Sequence, residues 1–581
     1  MKQSGLKLFV FLLAIVVLVN GLAGQPVSRA QGVIDPRFGA IESFWAPQEA
    51  ADLGVGWERI LFYWSEIQPT GPGDWNTLHV LEEWLAEANG QGRTIVGLLK
   101  NTPAWATDGQ PFSGVPRGLY LPVDDPGNLW ATYLRQVAAY YGPRGVHHWI
   151  IWNEPDIAPD VYGHEFSGTT QDYYQLVKVA YQVLKTADPE AVIHLGGMTY
   201  WHDPSYLRRF LGVVTADPTA AENNYYFDII TYHIYFRPET IYSIVGGGFS
   251  LQQELGIPFK PIWVNETNAR PSMDPEWPVQ VQSFPVDLEQ QAWYIVQAHA
   301  VGFNAGAARM GVYKLVDINM APGDESWGLI RPYDFSKRPA YYAYETTIKY
   351  LSGFTYPVRR EQGDGYYIFT FNRPEGVTRV MWARTPTAVT LRVPALADSA
   401  LLVTAVGETT TIVPENGVYT IDLAGMRCHA ECYMGGPPLF LVEAGVVAEG
   451  VTAAQPSVPT PTAAMTATAT AVPPTATITP TVTATATALP TATPTQPPTA
   501  TNTATPTATP MTEPTLTKTA TPTEVMEVAQ VMEVETAVPA TPTAASPAMS
   551  ETQTSAFSSW WLLAAAAVGG GVLLGLARRR K

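Results

Sequence analysis

Between Gly39 and Asp317, short apolar runs alternate with amphipathic ones, and that alternation limits the folds open to the chain. Eight runs read as strands: residues 39–45, 57–64, 94–100, 148–154, 191–197, 227–236, 261–267 and 310–317. Helical periodicity reads across 75–88, 130–141, 172–188 and 287–301. Eight strands separated by helices predict an α/β architecture, a (β/α)8 TIM barrel over residues 33–355. After Tyr356 the pattern changes. Seven short alternating segments, 366–373, 378–384, 388–394, 401–407, 409–415, 417–423 and 438–444, follow one another with turn residues between. They predict a small all-β sandwich domain over 356–446.

The flanking segments obey other rules. Lys2 and Lys7 precede an apolar stretch at 8–22 with small residues after it. Residues 1–30 therefore read as a secretory signal peptide cleaved after Ala23 or Ala30, with an uncleaved anchor as the alternative. Residues 452–555 are mostly Thr, Pro and Ala. They hold too few large apolar side chains to build a core and read as a disordered stalk suited to O-glycosylation. Residues 560–577 are apolar and uncharged, open on Trp560 and Trp561, and are closed by Arg578, Arg579, Arg580 and Lys581. An aromatic start and a basic end predict a transmembrane helix with a basic cytoplasmic tail at 578–581. A cleaved sorting tail is the alternative, although no LPxTG-like sequence precedes it. On either reading the globular part lies on the extracellular face of the cell membrane.

With 35 Lys+Arg against 52 Asp+Glu, the net charge is −17, and the chain lacks the basic clusters that nucleic acid requires. The 17 Trp, 28 Tyr and 20 Phe suit a core, and also a cleft in which ring faces stack on sugar C–H groups. The only cysteines, Cys428 and Cys432, share a late loop. In a secreted chain they read as a disulfide. A metal site through Cys428, His429 and Cys432 lacks a fourth ligand nearby. No cofactor and no metal is expected.

The chemistry is concentrated at two strand ends. The run "HHWIIWNEP" carries Trp149–Ile150–Ile151–Trp152 directly into Asn153, Glu154 and Pro155. Proline cannot donate to a sheet ladder, so the strand stops there and the carboxylate lies at its C-terminal tip. The seventh strand ends the same way, in Asn265–Glu266. Enzymes of this fold keep their chemistry at that face. Two carboxylates across a barrel mouth are what glycosidic bond cleavage requires: one protonates the leaving oxygen, and the other attacks or activates water. The sequon at Asn265 reads as chance, because a glycan there would block the strand end.

"WNEP" followed by "WVNET" resembles the retaining glycoside hydrolases of clan A, and "RILFYWSEIQP" resembles the second strand of family 39 and family 5 members. The resemblance spans residues 39–344, and the trailing β-domain is similar to the sandwich of the family 39 type. It implies Glu154 as the acid/base and Glu266 as the nucleophile. It also implies Asn153 on the sugar 2-hydroxyl, Arg59 beside the nucleophile, and His233 and Tyr235 hydrogen-bonded to the acid pair. Trp327 would floor the sugar subsite, and Trp105 would be a platform in the loop after the third strand. The implied partner is an oligo- or polysaccharide. A non-catalytic carbohydrate-binding or adhesion protein on the same barrel is the alternative, and a surface-layer component a third reading. Retention of both glutamates favours the enzyme.

Overall fold

The computed structural model describes residues 34–448, except 278, 280–283, 319–325 and 430. The expected signal peptide, most of the stalk's flank, the stalk, the membrane span and the basic tail lie outside the described residues. Among the described residues no helix is long and apolar enough to cross a membrane.

Eight parallel strands form a nearly closed (β/α)8 barrel: β1 (Phe38–Ala40), β2 (Trp57–Tyr63), β3 (Thr94–Lys100), β4 (Val146–Ile151), β5 (Val192–Leu195), β6 (Ile230–Tyr235), β7 (Ile262–Asn268) and β8 (Arg309–Val312). Hydrogen bonding runs in the order β5-β4-β3-β2-β1-β8-β7-β6, and single parallel bridges His194 to Ile229 and Met198 to Tyr232 draw β5 towards β6. Inside, Ile41, Trp57, Val96, Leu98, Ile150, Ile229 and Trp263 form an apolar plug of their own. The alternate strand residues face the helices and join the large outer core.

The first strand is shorter than its apolar run suggests. Glu42 takes a left-handed conformation, φ 56°, and Ser43–Trp45 turn into a 3-10 helix. β4 likewise ends at Ile151 rather than Glu154, because Trp152 leaves the extended region with φ 69°. β8 stops at Val312, well before Asp317. The helix expected at 75–88 is confined to Glu82–Gly90. The Asp74 carboxylate binds the Thr70 and Gly71 amides, and the Asn76 side chain binds Leu78 N and Glu66 O, so side-chain bonds hold turns there instead. Helices Leu129–Tyr141, Thr170–Ala187 and Leu288–Asn304 match their periodicity and start at side-chain caps from Asn128, Thr169 and Asp287. Helices Pro47–Leu53, Tyr206–Ala216, Thr240–Glu254 and Pro339–Leu351 complete the ring without having been singled out by sequence pattern.

Beyond the barrel lie two antiparallel sheets. Six strands order as β14-β13-β16-β11-β10-β9, and two more pair as β12-β15, where β9 is Thr355–Gly363, β10 Tyr366–Arg373, β11 Gly376–Ala383, β12 Val389–Pro394, β13 Ala400–Thr404, β14 Thr409–Ile412, β15 Val418–Leu423 and β16 Leu439–Ala444. Ile368, Met381 and Leu441 of the larger sheet meet Leu391, Ile421 and Leu423 of the smaller one in a separate core. The opposite face of the larger sheet, with Phe369, Phe371, Trp382 and Phe440, joins the barrel's own core. Helix Leu288–Asn304 is the spine of this junction. Its buried Gln297 donates to Gly436 O at 2.9 Å and accepts from Gly435 N at 2.9 Å, and Asn304 donates to Val358 O at 2.8 Å.

Two glycines make room for the plug. A Cβ on Gly39 of β1 would lie 2.0 Å from the Trp57 indole, and one on Gly311 of β8 would lie 2.6 Å from it. The indole is wedged against Trp263, 5.3 Å between centroids, and has nowhere to retreat. Gly39→Ala is therefore expected to destabilise the fold by about 1–3 kcal/mol. A thermal unfolding midpoint equal to that of the unsubstituted chain would contradict this packing.

Candidate active site

The mouth of the barrel is assembled by strand parity. On β6, Thr231, His233 and Tyr235 alternate inward while Ile230, Tyr232 and Ile234 join the outer core. β7 needs a correction to obey the same rule. Trp263 points into the plug and Val264 out to the helices, so strict alternation would send Glu266 outward as well. The register breaks here: Tyr232 pairs with Val264 and His233 with Glu266, leaving Asn265 as one extra residue. The same extra residue appears against β8. This bulge turns Glu266 into the barrel mouth, which is how bulges re-aim side chains.

Glu266 is 5% exposed. Arg59, inward-facing on β2, donates from Nη1 to its Oε1, and the Tyr235 hydroxyl donates to its Oε2. His233 Nδ1 lies 3.4 Å from Oε2 and 2.6 Å from Glu154 Oε1. A carboxylate oxygen of each glutamate and the His233 nitrogen all fall within 4.8 Å of one another. Three such groups could chelate a divalent ion, but the fixed charge of Arg59 on Glu266 opposes a second cation there.

Burial pushes the Glu266 carboxyl up. The charges of Arg59 and His233 and the hydrogen bonds from Tyr235 and Arg59 outweigh it and hold the group below the usual carboxylate range. Burial pulls His233 down, yet the charge of Glu266 and the bond to Glu154 leave it above its ordinary value. A Cβ on Gly197, in the loop after β5, would lie 2.0 Å from His233 Nε2, so that backbone packs directly on the imidazole.

Glu154 belongs to a loop rather than a strand. Its φ is 41° and that of Trp152 is 69°. Such values are costly for side chains of this size and persist only where neighbours over-determine them. Trp152 N donates to Leu99 O at 2.9 Å, its indole donates to Glu165 O at 2.8 Å, and its ring stands edge-on to Phe166. Two residues on, Asp156 Oδ2 accepts from Thr199 N, Thr199 Oγ1 and Tyr200 N at 2.9, 2.8 and 3.1 Å, tying the loop to the one after β5. Burial, opposed by the Thr199 bonds and aided by the charge of Glu154, pushes Asp156 up to about 6.

The other expected residues divide. Asn153 adjoins the pair, and its buried Oδ1 has no hydrogen-bond partner. Trp327 stands beside Tyr235, ring centroids 4.9 Å apart. Trp105 is half-buried, its indole donating to Gln68 O at 2.7 Å and its ring edge-on to Trp64. Cys428 and Cys432 are joined as a disulfide. Sequence reasoning missed Lys100 and Glu165, which form an ion pair at the tip of β3, Glu165 lying close enough to feel the charge of Glu154. The signal is present in the sequence: Lys100 is a lone charge ending the apolar run "TIVGLL". Tyr313, just past β8, was missed too; its ring lies 6.3 Å from Tyr235 and 6.2 Å from Trp327.

No family model matches the chain, and no curated protein matches it. Among solved structures it is similar to a family 39 glycoside hydrolase from Bacteroides cellulosilyticus, with 17% identity over 70% of this chain and 81% of that one, at a TM-score of 0.55. Weaker likenesses include a family 30 endoxylanase from Clostridium papyrosolvens (14% identity, 71% and 97% covered, TM-score 0.48) and a monomeric β-xylosidase from Caulobacter crescentus (14%, 70% and 96%, 0.47). The first likeness is one of fold alone.

Removing Arg59 leaves the burial of Glu266 opposed only by His233 and Tyr235, so its carboxyl must rise. Arg59→Met is expected to move the acid limb of the kcat/KM–pH profile to higher pH, with activity lost as pH falls through the new value. An acid limb that stays in place would mean that Arg59 does not set the ionisation of Glu266.

Proposed function

We propose that this chain is a retaining glycosidase that cleaves O-glycosidic bonds of oligo- or polysaccharides outside the cell. The observation that carries the reading is the pair Glu154 and Glu266 converging on one histidine, oxygens within 4.8 Å, at the C-terminal mouth of a barrel. Retaining pairs stand about 5–5.5 Å apart and inverting pairs about 6.5–9.5 Å, the difference being room for a water. The observed closeness favours direct attack.

In this reading Glu266, held ionised, attacks the anomeric carbon while Glu154 protonates the departing glycosidic oxygen. A covalent glycosyl-enzyme results. Water then attacks the anomeric carbon, Glu154 accepts its proton, and the bond to Glu266 breaks. Arg59 and Tyr235 fix the nucleophile, and His233 links the two acids. Asn153 offers its free acceptor to a sugar hydroxyl, and Trp327 supplies a ring face. Trp105 would serve only a more distant sugar, since its contacts lie away from the pair. The similarity to a family 39 hydrolase supports the same reading at the level of fold.

Glu154→Ala is expected to slow cleavage about 10²–10⁴-fold for poor leaving groups and much less for activated aryl glycosides, which need no proton donor. Azide is expected to restore part of the activity on the activated substrate. A 2-deoxy-2-fluoro glycoside should label Glu266, and the first-formed sugar should keep its anomeric configuration by NMR. Equal losses on both substrates, or the opposite anomer at early times, would overturn the roles.

The location proposal rests on residues 1–30 and 560–581 as read above. Protease treatment of intact cells should release an active fragment ending near residue 450. A domain that resists release until the cells are opened would overturn it.

A further inference from the structure

The loop closed by the Cys428–Cys432 disulfide belongs to the β-domain, yet its contacts run to the rim of the barrel mouth. Tyr433, next after the disulfide and 7% exposed, meets Phe284 with ring centroids 5.4 Å apart. Phe284 stacks on Phe236 at 4.3 Å, the residue directly after β6. Phe236 lies 5.5 Å from Trp327, and Trp327 lies 4.9 Å from Tyr235, whose hydroxyl holds Glu266. Four successive ring contacts thus join the β-domain to the side chain that fixes the nucleophile.

Charges lock the same interface on its exposed side. Arg427 donates to Asp287 at 2.8 Å and to Glu289 at 3.0 Å, and His429 lies 3.0 Å from Asp287, the cap of helix Leu288–Asn304. One turn into that helix, Gln290 donates to Arg427 O at 2.9 Å and Gln291 to Trp327 O at 3.1 Å. The backbone of Trp327 and the backbone of the β-domain loop are therefore gripped by adjacent residues of one helix.

We infer that Tyr433, beside the Cys428–Cys432 disulfide, is a positioning residue of the barrel mouth: it seats Phe284 and, through it, Phe236 after β6, and so sets the placement of the Trp327 ring under the sugar. This rests on the glycosidase reading above for what Trp327 does, and not for the packing itself. An aromatic contact of this kind is worth about 0.5–1.5 kcal/mol, roughly a two- to tenfold effect on binding. The effect belongs in KM, because Tyr433 touches neither glutamate.

The test uses the full chain with Tyr433→Ala, Tyr433→Phe and Arg427→Ala. Hydrolysis of aryl glycosides gives KM and kcat, and hydrogen exchange read by mass spectrometry follows peptides covering 234–239 and 284–290. Tyr433→Ala should raise KM roughly two- to tenfold with a smaller change in kcat. Exchange should quicken in those two peptides and not in β2–β4. Tyr433→Phe should restore both, since the ring and not the hydroxyl makes the contact. If Tyr433→Ala does not fold, Arg427→Ala, which removes the ion pairs to Asp287 and Glu289 and the guanidinium over the Trp293 ring, should still quicken exchange at 284–290. Unaltered exchange in both peptides overturns the packing claim. Quickened exchange with KM unmoved overturns the positioning of Trp327. An unsubstituted chain that cleaves no glycoside overturns the functional reading instead, and leaves the exchange data to decide the packing.

Discussion

A carboxylate buried as deeply as Glu266 stays ionised only if its surroundings replace water. Arg59 supplies a charge and a hydrogen bond, Tyr235 supplies a second hydrogen bond, and His233 Nδ1 lies 3.4 Å away. Losing one partner of such a buried pair costs about 3–5 kcal/mol, because the charge left behind is uncompensated. Arg59 sits on β2, Tyr235 and His233 on β6, and Glu266 on β7. The charge balance therefore requires strands that are far apart in sequence to be held at fixed register around a nearly closed barrel. The plug beneath them supplies that register. Trp57 lies across glycines of β1 and β8 and against Trp263 of β7, so the layer below the site cannot shift without a clash.

The two glutamates are chemically alike and structurally different. Glu266 rises from a strand through a bulge and is fixed by three side chains. Glu154 stands in a loop, with 19% of its side chain exposed, and its firm side-chain partner is His233. On the proposed reading the nucleophile must remain ionised and aimed at one carbon, and the first setting suits it. On the same reading the acid/base must give up a proton and take one back, which needs access to water, and the second setting provides it. The difference follows from the backbone: β7 continues past its glutamate to Asn268, while β4 has already ended at Ile151.

Much of this was legible in the sequence because it depends on local pattern. Apolar runs located all eight barrel strands, and the Asn-Glu pairs at two of their ends located the acids. What the pattern could not supply was parity and partnership. Nothing in "IWVNETN" announces that Asn265 is an extra residue, and without it the alternation puts Glu266 on the wrong face. At Glu42 and Trp152 the strand ends short of its apolar run because the backbone turns left-handed at a non-glycine residue, and composition carries no mark of such a conformation. Helix Thr240–Glu254 contains Gly246, Gly247 and Gly248 in succession and is helical by virtue of packing, with Ile241, Ile244, Val245 and Leu251 buried, against its own propensity. β9, Thr355–Gly363, has a proline and three charged residues at an edge position and gives no alternating signal.

The β-domain shows how far a site can depend on residues outside its own barrel. A sheet that merely accompanied the barrel would meet it through polar, separable contacts. Here the inner face of the six-stranded sheet is continuous with the barrel's apolar core, and Gln297 is buried to satisfy backbone groups of the partner rather than of its own helix. Helix Leu288–Asn304 faces both ways. Its first turn holds Trp327 and the disulfide loop, and its middle and end hold the sheet. A rigid helix shared by two cores transmits the position of one to the other, because neither core can repack without opening a cavity. The mouth of the barrel is thus braced from below by the Trp57 plug and from the side by the β-domain, and the loops that carry Trp327 and Phe236 lie where the two braces meet.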